Sequence, residues 1–197
     1  AAPAGISSVD ELKELERRVQ RLPRKQDQAR VWLPSAKATK DGEIREAALG
    51  EGLLAEGESL LESETYHVAR KLLLDAFVHL ARRSRPARVR AAIGALAAFA
   101  WPVYRSAPGL DGRRGATDVG EWLAQPRVML TDLRGDDLQK IVARIWADEL
   151  PEDAGGSFLE TIDAEIGDSS SFVRQCTEHL LSAQALTKKP DRTMRLL

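Results

Sequence analysis

The chain has 197 residues, 43% hydrophobic and only 5% aromatic, with 30% charged side chains and a net charge of −1. That length fits one domain, or one domain with a small appendage, and buries a core without staples. The single cysteine, Cys176, excludes an internal disulfide and a multi-cysteine zinc site and points to a reducing, cytoplasmic compartment, while the apolar stretch from Ala91 to Trp101 falls short of the roughly 20 residues of a bilayer span, so no membrane role is expected.

In chain order, Ser8 with Glu11 forms a capping-box pattern ahead of a helix from about Val9 to Leu22, with Leu12, Leu15, Val19 and Leu22 as one apolar stripe. Pro23 stops it. The segment from Arg24 to Gly42, with Trp32 and Pro34, reads as an irregular basic connector. A helix over about Glu43–Glu62 carries Gly50, Gly52 and Gly57, each weakening it by about 1 kcal/mol relative to Ala. Ser63 is placed to cap the next helix, Glu64 to about Arg83, whose stripe is Tyr66, Ala69, Leu73, Ala76, Phe77 and Leu80.

Pro86 suits a first helical position, and an alanine-rich helix should follow to Trp101, ended by Pro102. Its small residues permit close approach, so it reads as the central helix. Residues 106–116 are a Gly/Pro loop. A short helix runs from Asp118 to Ala124 with Thr117 as cap, and Val128–Leu130 is a short strand or a packed link. Further helices are predicted over Asp136–Leu150, from Ser157 to Ile166, and from Phe172 to about Leu186. The pattern as a whole predicts an all-α protein, an irregular bundle of about eight helices. By this reading residues 1–42 form an N-terminal helix and basic connector, 43–187 the bundle, and 188–197 a flexible basic tail.

Charge is segregated along the chain. Residues 13–40 hold nine basic and three acidic side chains; residues 41–64 hold eight acids and one arginine; residues 76–110 hold six arginines and no acid; residues 148–168 hold eight acids and no base. Such blocks serve either docking to complementary surfaces or neutralisation across the fold.

The densest candidate site is the run Arg82, Arg83, Arg85, Arg88 and Arg90, extended by Arg105, Arg113 and Arg114. Arg82 and Arg83 suit a helix C-terminus, whereas Arg88 and Arg90 crowd the positive start of a helix, where cations are unfavourable. Guanidinium forks grip phosphate at two points, and the expectation is that these residues face one side and contact a nucleic-acid backbone. Protein contact and a solvated face are the competing readings. Only a distant acidic block or an external polyanion can neutralise them, since 35 consecutive residues contain no acid.

Other motifs are weaker. Gly109–Gly115 has neither the Lys-Ser/Thr ending nor the preceding strand of a Walker loop and reads as a surface loop. His67 and His79, twelve apart, stand about 120° apart around one helix, and Cys176 with His179 supplies only two ligands, so no metal and no cofactor is expected. Arg174 and His179 match the Arg-x4-His pattern of the HEPN helical RNases, which that resemblance places on a late helix cleaving RNA across a dimer; Gln175 departs from the family's usual Asn or Asp, and an ion pair of Arg174 and His179 with Glu178 explains the same residues. No residues form a Ser-His-Asp constellation.

In architecture the chain resembles the small helical subunits of CRISPR ribonucleoprotein effectors, which line a backbone filament and steady nucleic acid. The resemblance implies a role in antiviral defence as a non-catalytic subunit, with protein subunits of a larger complex and RNA or DNA backbone as partners. The alternatives are a HEPN-like RNase and a protein-interaction module without nucleic acid.

Overall fold

The computed structural model describes residues 4–82, 85–106, 118–124, 133, 135–145 and 150–166. Its elements there are all helices: α1 (Val9–Gln20), α2 (Lys25–Ala38), α3 (Gly42–Glu62), α4 (Tyr66–His79), α5 (Arg85–Ser106), α6 (Val119–Ala124), α7 (Gly135–Arg144) and α8 (Glu152–Ile166). No strand occurs among the described residues, so the all-α helical bundle holds. None of these helices is long and apolar enough to cross a membrane. The chain divides into two compact units, Ala1–Ala98 and Phe99–Leu197. The expected strand or link at 128–130, the loop expected at 106–116 apart from Ser106, which ends α5, the helix from Phe172 to Leu186 and the tail lie outside the described residues.

In the first unit, α1 starts as its sequence predicts. The Ser8 side chain accepts from the Glu11 N–H at 3.2 Å, and the Glu11 carboxylate in turn accepts from the N–H and hydroxyl of Ser7, both at 2.8 Å. The Ser7 N–H first, then its hydroxyl, hold the Glu11 carboxyl below its ordinary value. Leu12 and Val19 are buried in a core shared with Ile6, Trp32, Ala36, Ile44 and Ala48, with Leu15 and Leu22 packed at its edge. The narrow stripe is therefore used within the chain, against α2 and the start of α3.

The basic connector expected over Arg24–Gly42 is instead the helix α2. Pro34 lies inside it and removes one hydrogen bond, a loss of about 3 kcal/mol in an isolated helix. Burial of Ala29, Trp32, Ser35 and Ala36 along one face offsets that loss. Thr39 closes the turn that follows: its hydroxyl donates to the Ser35 carbonyl at 2.7 Å and accepts from the Ile6 N–H at 3.0 Å, tying the N-terminal segment to the end of α2.

In this unit α3 packs against both α2 and α4. A Cβ on Gly52 would stand 2.6 Å from Leu33 Cδ2, and one on Gly57 would stand 2.6 Å from Leu73 Cγ. The glycines that weaken α3 as an isolated helix let its neighbours close on it, and α5, expected as the central helix, is buried at every position from Ala91 to Trp101 except Ile93. At its C-terminus, Glu64 has φ of 59°, the Thr65 N–H bonds the Leu60 carbonyl at 2.9 Å and the Glu64 N–H bonds the Leu61 carbonyl at 3.1 Å. This is a Schellman ending with glutamate where glycine is usual. Ser63 thus ends α3 rather than capping α4, which starts at Tyr66 without a side-chain cap. Of the predicted stripe of α4, Ala69, Leu73, Ala76, Phe77 and Leu80 are buried and Tyr66 is half-buried.

Pro102 does not end α5, which continues to Ser106. In the second unit the ring of Trp101 stacks on Tyr104 with centroids 5.6 Å apart and lies 5.8 Å from the ring of Trp122, so the turn beyond Pro102 is held by aromatic packing. Asp118 caps α6 by accepting from the Glu121 N–H at 2.8 Å; Thr117, expected in that role, lies outside the described residues. The last described helix, α8, begins at Glu152, five residues before the predicted Ser157 cap, because Gly155 and Gly156 are helical rather than a break. Phe158 and Ile162 are buried.

Candidate functional site

The arginine cluster sits on both sides of the α4–α5 corner. Arg82 follows α4 and is 87% exposed; its Nη1 stands 3.7 Å from Glu43 Oε1, itself 86% exposed. Arg85 opens α5, is exposed, and has no carboxylate partner among the described residues. One turn on, Arg88 is half-buried: its guanidinium lies 4.1 Å from the centre of the Phe77 ring, and its Nε donates to the Phe77 carbonyl at 3.5 Å. Two residues further is about 200° around the helix, so Arg90 points elsewhere. It meets Glu58 of α3, with Nε and Nη2 donating to Oε1 at 3.0 and 2.7 Å and Nη2 also to Oε2. Lys25 of α2 reaches the same carboxylate at 3.1 Å.

The acidic block at residues 41–64 is α3, and its carboxylates meet four basic side chains. Glu58 holds Lys25 and Arg90, Glu43 meets Arg82, and Glu46 Oε1 is 3.3 Å from Nδ1 of His79. The distant acidic block therefore engages Arg90 and Arg82. Glu58, with a side chain only 15% exposed, is the residue the sequence reading passed over. Arg83, Arg113 and Arg114 lie outside the described residues; Arg105 is exposed and belongs to the second unit. Arg174, Cys176 and His179 also lie outside them, so the HEPN-like pair has no geometry here. Among the described residues, no three His, Cys, Asp or Glu side chains gather in a way that would hold a metal ion.

Beside the Glu58 hub, the first unit contains a cavity of about 240 Å³. Each of four helices presents it residues from successive turns: Glu16 and Gln20 of α1, Gln28 and Trp32 of α2, Glu51 and Leu54 of α3, and Arg90 with its neighbours at the start of α5. Trp32 and Leu54 are buried, and Glu51 is 9% exposed.

Comparison of the chain with protein-family models, with curated proteins and with solved structures finds no match in any of the three.

Proposed function

We propose that this protein is a non-catalytic helical subunit of a larger assembly, which works by contact and steadies a polyanion backbone at the α4–α5 corner. The observation that carries this reading is the position of Arg85: exposed at the start of α5 and without a carboxylate partner among the described residues. Its neighbour Arg82 adds to it, because a pair as exposed as Arg82–Glu43 holds its charges only weakly and leaves the guanidinium available to phosphate. Arg88 and Arg90 are assigned to the structure of the first unit instead.

The test is fluorescence anisotropy with two unrelated single-stranded RNAs over a range of salt. Log K should fall with log salt by roughly 0.7 per neutralised phosphate, equally for both sequences. Arg82→Ala with Arg85→Ala should weaken binding and flatten the slope, with the protein still folded. Binding that is absent, or indifferent to these two changes, would remove the polyanion from the proposal. The second reading is a protein-interaction module, and it is favoured by the withdrawal of Arg88 and Arg90 into contacts within the chain.

A further inference from the structure

We infer that the α1–α2 corner is a second phosphate-contacting surface, and that one nucleic-acid strand crosses from it to the α4–α5 corner over the mouth of the cavity. The inference rests on the polyanion reading of the α4–α5 corner and adds the path of the strand. From Arg17 to Lys25 the sequence carries five bases and no acid. That run is far in sequence from the one that opens α5, and two observations bring both to one end of the first unit. Lys25, the first residue of α2, and Arg90 of α5 are held by the same carboxylate, Glu58. The cavity is lined by Gln20 at the end of α1, by Gln28 one turn into α2 and by Pro86 at the start of α5. The end of α1 and the starts of α2 and α5 therefore stand around one mouth.

The charge at this mouth is positive. Glu58 is one carboxylate for two cations and leaves one positive charge over. Arg21 and Arg24 are exposed and have no carboxylate partner among the described residues. Arg17 stands 3.6 Å from Glu14, which is itself 62% exposed, so that pair holds its charges only weakly. The start of α2 adds the positive end of its macrodipole, and no side chain caps it. The cavity itself is not the seat: its wall carries Glu16 and Glu51, both engaged within the chain, and the unpaired cations are on the exposed rim.

The rim also selects the kind of partner. Cations spaced along an edge match a charge repeated at intervals, which a nucleic-acid backbone supplies and a free phosphate does not. Each guanidinium fork grips a phosphate at two points.

The test is fluorescence anisotropy of the full chain with a single-stranded RNA of about twelve nucleotides. Arg21→Ala with Arg24→Ala should weaken binding about tenfold and lower the salt slope by roughly 1.4, two phosphates at roughly 0.7 each. Lys37→Ala with Lys40→Ala removes the same charge at the far end of α2, about 20 Å away at about 1.5 Å per residue, and should leave binding unchanged. All four side chains are exposed, and circular dichroism should show both variants folded. Saturation should come at one strand per chain. No effect of the Arg21 and Arg24 changes, an equal effect of the Lys37 and Lys40 changes, two strands per chain, or equally tight binding of poly-glutamate would overturn the crossing. Binding lost in Arg82→Ala with Arg85→Ala but kept in Arg21→Ala with Arg24→Ala would strike this inference and spare the α4–α5 corner. No RNA binding by the unaltered chain would strike both.

Discussion

Arg85 and Arg90 are five residues apart on one helix and have opposite employments. Arg85 stands at the corner in solvent, while Arg90 is clamped by both oxygens of Glu58, a carboxylate it shares with Lys25. In sequence both belong to the same acid-free run. The difference is one of register: a helix turns about 100° per residue, so neighbours in a charge run face different surroundings. A block of like charge is thus not one surface, and its members divide between holding the fold and meeting a partner.

The largest expected effect is on the clamped side. Glu58→Ala removes the shared acceptor of α2 and α5 and leaves two cations facing each other, so urea denaturation should show a loss of about 1–2 kcal/mol, discounted for the half-exposure of Arg90. An unchanged midpoint would break the comparison at once. Next comes Arg88. Arg88→Ala should destabilise by about 1 kcal/mol through the lost contact with the Phe77 ring, and Arg88→Lys should recover only part of it, since the planar guanidinium stacks and the ammonium does not. At the corner, Arg82→Ala and Arg85→Ala should each leave stability within about 0.5 kcal/mol.

How much of this could be read in advance differs by element. The capping box of α1, the stripe of α4 and the span of α3 follow from local pattern, because caps and 3.6-residue spacing act within a few residues. α2 was hidden by Pro34 and its basic composition: the burial of Trp32 that outweighs them depends on Ile6, Ile44 and Ala48, which are distant in sequence. Pro102 misled for the same reason, the compensation being the stack of Trp101 on Tyr104. In the candidate site, the arginines were visible as a composition, but their employment was not. Glu58 lies 32 residues from Arg90, and nothing in the sequence says that α3 and α5 pass at that register. The cavity is still less legible, since four helices each lend it two or three positions.

The smallest effect is at the start of α1. Glu11 is fully exposed, and the Ser7 N–H and hydroxyl lower its carboxyl pKa. A lowered carboxyl pKa stabilises the folded chain above the ordinary value, and the contribution is lost as pH falls through the lowered one. Protection of the amides at the start of α1, taken relative to the intrinsic exchange rate at each pH, should therefore fall in acid, below the usual carboxylate range, and Glu11→Gln should remove that pH dependence. Exchange in α3 around Glu58 should not follow it.

A double-mutant cycle on Glu58 and Arg90, measured by urea denaturation at low and at high salt, tests most directly whether the arginine run is divided between fold and surface. The clamp predicts a coupling energy of about 1 kcal/mol that persists in high salt, because the Glu58 side chain is only 15% exposed. Additive losses, with no coupling beyond error at either salt, would show that Arg90 is as free as Arg85 and would contradict the division.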